Sequence, residues 1–366
     1  MLAIDCSQIE YRPTSVGRYL TNVLRCWPQD FAATLYFRKT MARLPFLAEK
    51  PLDSMLATLN PLRHIEPVWR HILLPRTLYA HHARILFAPG NVPPLTWLPE
   101  RTVLAIHDLS YKHHPQWFSW YSELRWFPDS YIRRVRHIIT TSEFVKQEIM
   151  EYYNVPDEQI TVATPGVEAH FQPAITIAPP LPGRYLLYWG TITNRRHIPE
   201  IIEAFVLNQT ERDSQELTFV VIGRDFSYPP LALNRRVAKA NRTLGRCAVI
   251  WHEYVPEPEL LTFLQHAFAV VWLSDYESFA LPILEAMACG VPVITSRRTP
   301  IAEIAGNAAY YIEDNREVEE IAWCMQALSQ NVWLREKLRA QGLAQAKKYT
   351  WEKTAERTIK TLKRFL

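Results

Sequence analysis

At 366 residues the chain is long for one hydrophobic core and comfortable for two domains. Its formal net charge is only +4 and no Lys/Arg run is long enough for a nucleic-acid tract, so no nucleic-acid partner is expected. Aromatic residues are plentiful while glycine is scarce, and Cys6, Cys26, Cys247, Cys289 and Cys324 lack C-x-x-C spacing, so they read as small core residues in a reducing compartment.

Leu2 to Cys6 reads as a first strand, entered without a charged n-region and long apolar core, and no later run reaches transmembrane length. A cytoplasmic protein is expected, with peripheral contact at the inner face of a membrane left open. Val16 to Trp27 reads as a helix and Ala33 to Phe37 as a second strand, with Gly17 easing the tight turn into the helix. Glu66 to His81 reads as a helix, Ile85 to Phe87 as a strand and Gly90 to Leu98 as a proline-rich loop. Thr102 to Ile106 is a buried strand that ends in His107-Asp108-Leu109, which puts His107 at the carboxyl end, where such sheets bind ligands. Asp108 either orients the imidazole or caps the next segment. Tyr111 to His137 is the most aromatic stretch, with Arg125, Arg133, Arg134 and Arg136 interleaved. It suits sugar stacking, lipid head groups or an anionic acceptor, and equally a helix that packs its rings inward. Ile138 to Thr141 reads as a strand, Glu143 to Tyr153 as a helix, and Ile160 to Thr164 with Pro165-Gly166-Val167 as the close of the first domain.

Pro173, Pro179, Pro180 and Pro182 mark an interdomain linker. The expected division is a first domain 1–172, a linker 173–183, a second domain 184–350 and a last helix 351–366. Tyr185 to Trp189 reads as a strand, and Gly190 and Thr191 open a loop in which Arg195 and Arg196 precede a helix from Pro199. Two cations between a strand and its helix suit a diphosphate. Leu217 to Gly223, Val249 to Trp251 and Phe268 to Leu273 read as strands, with helices at Leu231 to Leu244 and Glu257 to His266. The loop after Leu273 carries Glu277, Ser278, Phe279, Ala280 and Leu281, and a helix follows, with Pro282 near its start, Gly290 as a left-handed cap and a strand at Val291 to Ile294. Seven residues separate Glu277 from Glu285 on this helix, so both carboxylates face the carboxyl end of the sheet. Carboxylates suit hydroxyl groups and a helix N-terminus suits an anion, so the natural guest is a sugar phosphate or nucleotide sugar. Ile301 to Ile304 and Ala308 to Ile312 give a short helix and strand, and Arg316 to Leu328, Val332 to Lys348 and Trp351 to Leu366 are helices.

The E-x7-E spacing followed by EAMACGVPV resembles the donor site of the retaining glycosyltransferases of family 4. The resemblance implies an α/β fold of the GT-B type, two Rossmann-like domains facing a central cleft, an acceptor-side first domain and a nucleotide-sugar-binding second one, with the last helix crossing back to the first. It gives Glu277 the hydroxyls of the transferred sugar and Glu285 the ribose, with Ser278, Phe279, Ala280 and Leu281 beside the donor. Ser278 and Ala280 stand where the family has glycines, which predicts an altered sugar preference. Ser15-Val16-Gly17-Arg18-Tyr19 resembles a glycine-rich loop that faces the donor phosphates, and HDL implies that His107 lies close to the transferred sugar. Arg195 matches the Arg of the family's GTIEPRKN segment, Arg196 replaces its Lys and His197 its Asn, and backbone near Gly223 and Val255 reads the base.

The implied reaction is retaining transfer from a nucleoside diphosphate sugar to a glycan or lipid-linked acceptor hydroxyl. No cofactor or metal is expected, the nucleotide sugar being a substrate, and no D-x-D triplet occurs. GDP-mannose is favoured because HDL-bearing members often act as mannosyltransferases in polysaccharide or glycolipid assembly; UDP sugars stay open. Rival readings are a non-catalytic sugar-nucleotide-binding or partner subunit, and an epimerase on the same architecture.

Overall fold

Runs of Val, Ile, Leu and aromatic residues too short for helices recur along the chain, and strands buried on both faces need parallel neighbours with helices over them. The computed structural model, which describes residues 1–9, 14–38, 44–56, 61–117, 128–174, 178–211, 215–298 and 300–366, has this architecture. It divides into one unit of Met1–Gly166 with Thr350–Leu366 and a second of Val167–Tyr349. The proline-rich stretch 173–183, of which 175–177 lie outside the described residues, falls within the second unit.

The first unit contains β1 (Leu2–Asp5), β2 (Ala33–Phe37), β3 (Leu52–Leu56), β4 (Ile85–Ala88), β5 (Arg101–Ile106), β6 (His137–Thr140) and β7 (Ile160–Val162). All pair in parallel, in the order β3-β2-β1-β4-β5-β6-β7. The chain therefore reverses its direction of travel between β1 and β4, which opens a crevice at their carboxyl ends. The second unit contains β8 (Tyr185–Trp189), β9 (Thr218–Ile222), β10 (Val249–His252), β11 (Ala269–Trp272), β12 (Val293–Ser296) and β13 (Tyr310–Ile312). These too are parallel, in the order β10-β9-β8-β11-β12-β13, with the reversal between β8 and β11.

Strand β3 and the helix Glu66–His81 depart from the sequence reading. Strand β3 was not expected, because LDSML interrupts its leucines with Asp53 and Ser54; it forms as an edge strand in register with β2, Ala33 opposite Leu52. The expected helix Glu66–His81 contains a π turn at Trp69–Leu73 between α-helical pieces. Pro75, just after it, has no N–H to give a regular ladder, and the wider turn absorbs the mismatch.

The helix Trp351–Lys363 completes the first unit. Thr350 caps it, and Trp351, Ala355, Ile359 and Leu362 share one core with Leu20 and Val23 of the helix Ser15–Arg25 and with Trp27 just after it. Tyr19 Oη lies 3.0 Å from Thr358 Oγ1, and Thr354 Oγ1 donates to the Thr164 carbonyl. A Cβ on Gly166 would fall 2.2 Å from Trp351 N, so only glycine lets the two segments pass this closely. Cys6, Cys289 and Cys324 are buried as expected, but Cys247 is exposed, in the turn between the helix Leu233–Leu244 and β10. Among the described residues no helix is long and apolar enough to cross a membrane.

Candidate functional site

In the second unit the loops after β8 and β11 flank the crevice where the strand order reverses, and they carry the residues the sequence singled out. Pro282 lies in the first turn of the helix Leu281–Ala288, and Gly290, at φ +73°, closes it as Gly290 N donates to Met287 O and Val291 N to Ala286 O. That start and stop fix the helix so that Glu285 is on its buried side, 3 % exposed. Burial, with the Glu285 charge adding to it, pushes the Cys289 thiol up to about 12.

Glu277 is 8 % exposed and is held from three directions. Ser274 Oγ lies 2.8 Å from its Oε1, Arg196 Nη1 2.5 Å and Arg195 Nη2 3.7 Å. The Arg196 contact is one of charge, since Nη1 is not aligned for a hydrogen bond. Its guanidinium carbon also sits 4.0 Å from the centre of the Trp272 ring at the end of β11. Arg195 Nη1 donates to Tyr276 O at 3.0 Å, tying the β8 loop to the β11 loop. Two guanidiniums face one carboxylate, and the trio keeps a net positive charge suited to a phosphate group.

Gly190 and Gly223 shape the approach. They adopt φ +122° and +153°, and a Cβ on Gly223 would lie 1.9 Å from Gly190 O, so the ends of β8 and β9 come this close only because Gly223 lacks a side chain. Gly223 N donates to His252 O and its carbonyl accepts from Trp251 Nε1, so this residue offers a ligand room rather than a donor. Thr191 is exposed beside them, with its carbonyl accepting from Tyr188 Oη, while Val255 is buried after β10. Phe279 packs edge-on to Tyr349, Leu281 is half-buried, Ser278 is half-buried and Ala280 fully buried. Ala280 has φ −72° and Ser278 is not among the left-handed residues, so neither backbone requires glycine.

A polar network that the sequence reading did not anticipate stands behind this trio. His197 is left-handed, at φ 53°, and its Nε2 lies 2.8 Å from Asp275 Oδ1. Asp275 N donates to Arg195 O, and its Oδ1 accepts from Asn315 Nδ2 at 3.2 Å. Ser296 Oγ donates to Asn315 Oδ1 and accepts from Ser274 N. The only advance signal was that His197 stands two residues after Arg195 and Asp275 two before Glu277.

In the first unit, His107 follows β5. Its Nε2 lies 2.8 Å from Pro89 O and its N donates to Asn91 Oδ1, while the Tyr19 ring meets it edge-on at 4.7 Å. Burial lowers its pKa to about 4, so it is neutral at pH 7, with Nε2 carrying the proton given to Pro89. Asp108 Oδ1 accepts from Ser110 N and Oγ, a turn contact, and the ring is oriented by Pro89. Gly17 is pressed against the chain, its Cβ position 2.4 Å from Gln8 O, and packing alone demands glycine there. In the aromatic stretch, residues 118–127, with Arg125, lie outside the described residues; Arg133, Arg134 and Arg136 are exposed and Tyr111 is buried against Tyr153. Among the described residues no three His, Cys, Asp or Glu side chains form a metal-binding group.

A family model for glycosyl transferases group 1 matches residues 177–345, and one for glycosyltransferase family 4 matches 16–171. The chain is 30% identical over 305 residues to O-antigen chain mannosyltransferase B of Escherichia coli, covering 78% of this chain and 74% of that one. The crystal structure of WaaG, a glycosyltransferase involved in lipopolysaccharide biosynthesis, superimposes with a TM-score of 0.72 at 14% identity, covering 99% of each chain. Anabaena Alr3699/HepE, solved in complex with UDP-glucose, gives 0.65 at 14% identity over 100% of each chain. The two structures share the GT-B fold with this chain.

Proposed function

The chain belongs to glycosyltransferase family 4, and on that premise we propose that it transfers a sugar with retention from a nucleoside diphosphate sugar, GDP-mannose first, to a hydroxyl of a glycan or lipid-linked acceptor. One observation carries the reading: Arg195, Arg196 and Glu277 meet at the strand-order reversal of the second unit, with Glu285 on the adjoining helix. The guanidiniums take up the charge of the departing diphosphate, in the place a metal would otherwise fill. Glu277 then exchanges its arginine contact for hydroxyls of the sugar, and Glu285 holds the ribose. The leaving phosphate receives the acceptor proton, so no side-chain base is assigned. His107, neutral and with its Nε2 proton committed to Pro89, supplies an uncharged edge for the sugar.

Mannose is favoured because the E. coli relative is named a mannosyltransferase of the O-antigen chain, which also supports a role in surface polysaccharide assembly. The reaction belongs in the cytoplasm, at the inner face of the membrane when the acceptor is lipid-linked. The test incubates the protein with GDP-mannose, UDP-glucose, UDP-galactose or UDP-N-acetylglucosamine and lipid-linked or free glycan acceptors, with and without EDTA, and reads products by mass spectrometry and anomeric configuration by NMR. An α-linked product that forms from GDP-mannose in EDTA supports the whole reading; an inverted anomer, an EDTA-abolished reaction or a UDP sugar as the sole donor each removes one part of it. The non-catalytic rival rested on Ser278 and Ala280, and the ordinary backbone at both positions takes that motive away.

A further inference from the structure

His197 is almost wholly buried, yet it occupies a left-handed conformation that is unfavourable for a residue with a side chain. A residue held there needs a compensating contact. Its imidazole supplies one: Nε2 meets Asp275 Oδ1 at 2.8 Å, while Nδ1 lies 3.9 Å from Glu200 Oε2 on its own helix. Asp275 is also tied to the Arg195 carbonyl through its own N–H and to Asn315 after β13. Asn315 continues through Ser296 at the end of β12 to Ser274, whose Oγ reaches Glu277. One chain of contacts thus joins the loop that carries the two arginines to the loop that carries the carboxylate.

We propose that His197 is a positioning residue, whose ion pair with Asp275 holds the Arg195–Arg196 turn in register with the Glu277 loop so that a nucleoside diphosphate meets both guanidiniums at once. The proposal rests on the donor-binding reading above and adds to it a residue that touches no substrate. Burial alone would lower the pKa of His197, but contacts with Asp275 and Glu200 outweigh it and raise the value to about 9. The other charges near the pair are Arg316, which acts on Asp275, Arg236, which acts on Glu200, and the neighbouring Arg195 and Arg196. The imidazolium is therefore present at pH 7 and is lost as pH rises through about 9.

The test has two separate readouts. NMR titration of histidine-labelled protein should show one imidazole with a midpoint well above 7, absent from His197→Asn and moved down in Asp275→Asn. Calorimetric binding of GDP and UDP between pH 7 and pH 10 should weaken by about tenfold more in the wild type than in His197→Asn, one pKa unit being worth about that factor. The base titrates alike in both proteins, so the difference isolates His197. Asparagine tolerates the left-handed backbone, so His197→Asn should fold, and Asp275→Asn gives a second route if it does not. A His197 midpoint near 6.5, or identical pH profiles for wild type and His197→Asn, overturns the proposal. No binding of either nucleotide by the wild type overturns the donor reading instead, and the titration still decides the ion pair.

Discussion

The two units present the same architecture to the carboxyl ends of their strands, and the ends of β8 and β11 in the second are furnished differently from the end of β5 in the first. In the second unit that end is ionic: Arg196 and Glu277 are buried with Arg195 half-buried beside them, backed by the His197–Asp275 pair. In the first it is neutral around β5, where His107 has lost its charge to burial and is fixed by the carbonyl of Pro89 and the amide of Asn91. Ionic groups out of water are stable only when paired, and they then exchange partners with an incoming charged ligand; a neutral ring can only offer shape and a hydrogen bond. Under the proposed reaction, the end of β8 and β11 would meet the charged part of the donor and the end of β5 an uncharged part.

The sharpest way to break the contrast is at Glu277. Glu277→Gln keeps the shape and frees Arg196, so turnover should fall by about 10²–10³-fold while diphosphate affinity holds or rises. Retained turnover in a product assay would end the role given to this carboxylate. Arg196→Ala should weaken diphosphate binding by about 2–3 kcal/mol, since it removes a charged contact and leaves Glu277 facing only Arg195. An unchanged dissociation constant by calorimetry would move the anion site elsewhere. Gly223→Ala should cost about 3 kcal/mol or more, because the new Cβ would collide with Gly190 O at 1.9 Å, whereas Gly190→Ala, with nothing within 4 Å, should cost only about 1 kcal/mol for its backbone. Equal melting temperatures for the two variants would contradict the close approach of β8 and β9.

On the neutral side the handle is pH. A histidine whose folded pKa is depressed favours folding above its unfolded value near 6.5 and loses that stability as pH falls through about 4. His137 in β6 is depressed to a similar value by burial and by Arg364 and Arg136, so it contributes in the same window. His107→Gln should therefore remove part of the acid-side loss, on the order of 1 kcal/mol, and leave stability above pH 6.5 little changed by titration. Denaturant melts at pH 4 and pH 7 decide it. The smallest effect belongs to Ala280→Gly, whose site needs no special backbone: stability should drop by less than about 1 kcal/mol and donor preference should not change.

Much of this was legible because parallel strands advertise themselves. Tyr185–Trp189 and Ala33–Phe37 are apolar runs bounded by turn residues, and each is a strand over the residues read from the sequence. Glu277 and Glu285 were legible because a proline and a glycine frame the helix between them. What escaped has a common physical cause. Asp275 and Asn315 are far apart in the chain and meet because β11 and β13 flank β12, an order that local pattern does not contain. The left-handed turn at His197 escaped as well, since no glycine stands there to mark it, and β3 did because an edge strand need not be apolar. Gly17 was legible as a glycine that mattered, and the structure supplies a packing reason in the Gln8 carbonyl.

The passage of the chain beside Gly166 has a consequence for how the protein is made. Residues 1–166 leave the ribosome first, but the core they build also needs Trp351, Ala355, Ile359 and Leu362, which are synthesised only after the entire second unit. The later segment can therefore reach its native state while the earlier one still exposes the flank of Leu20, Val23 and Trp27, a reversal of the usual order in which domains mature during translation. Nascent chains stalled before residue 350 should carry a protease-resistant second unit joined to a protease-sensitive first one, and resistance of the first should appear only when the closing helix emerges.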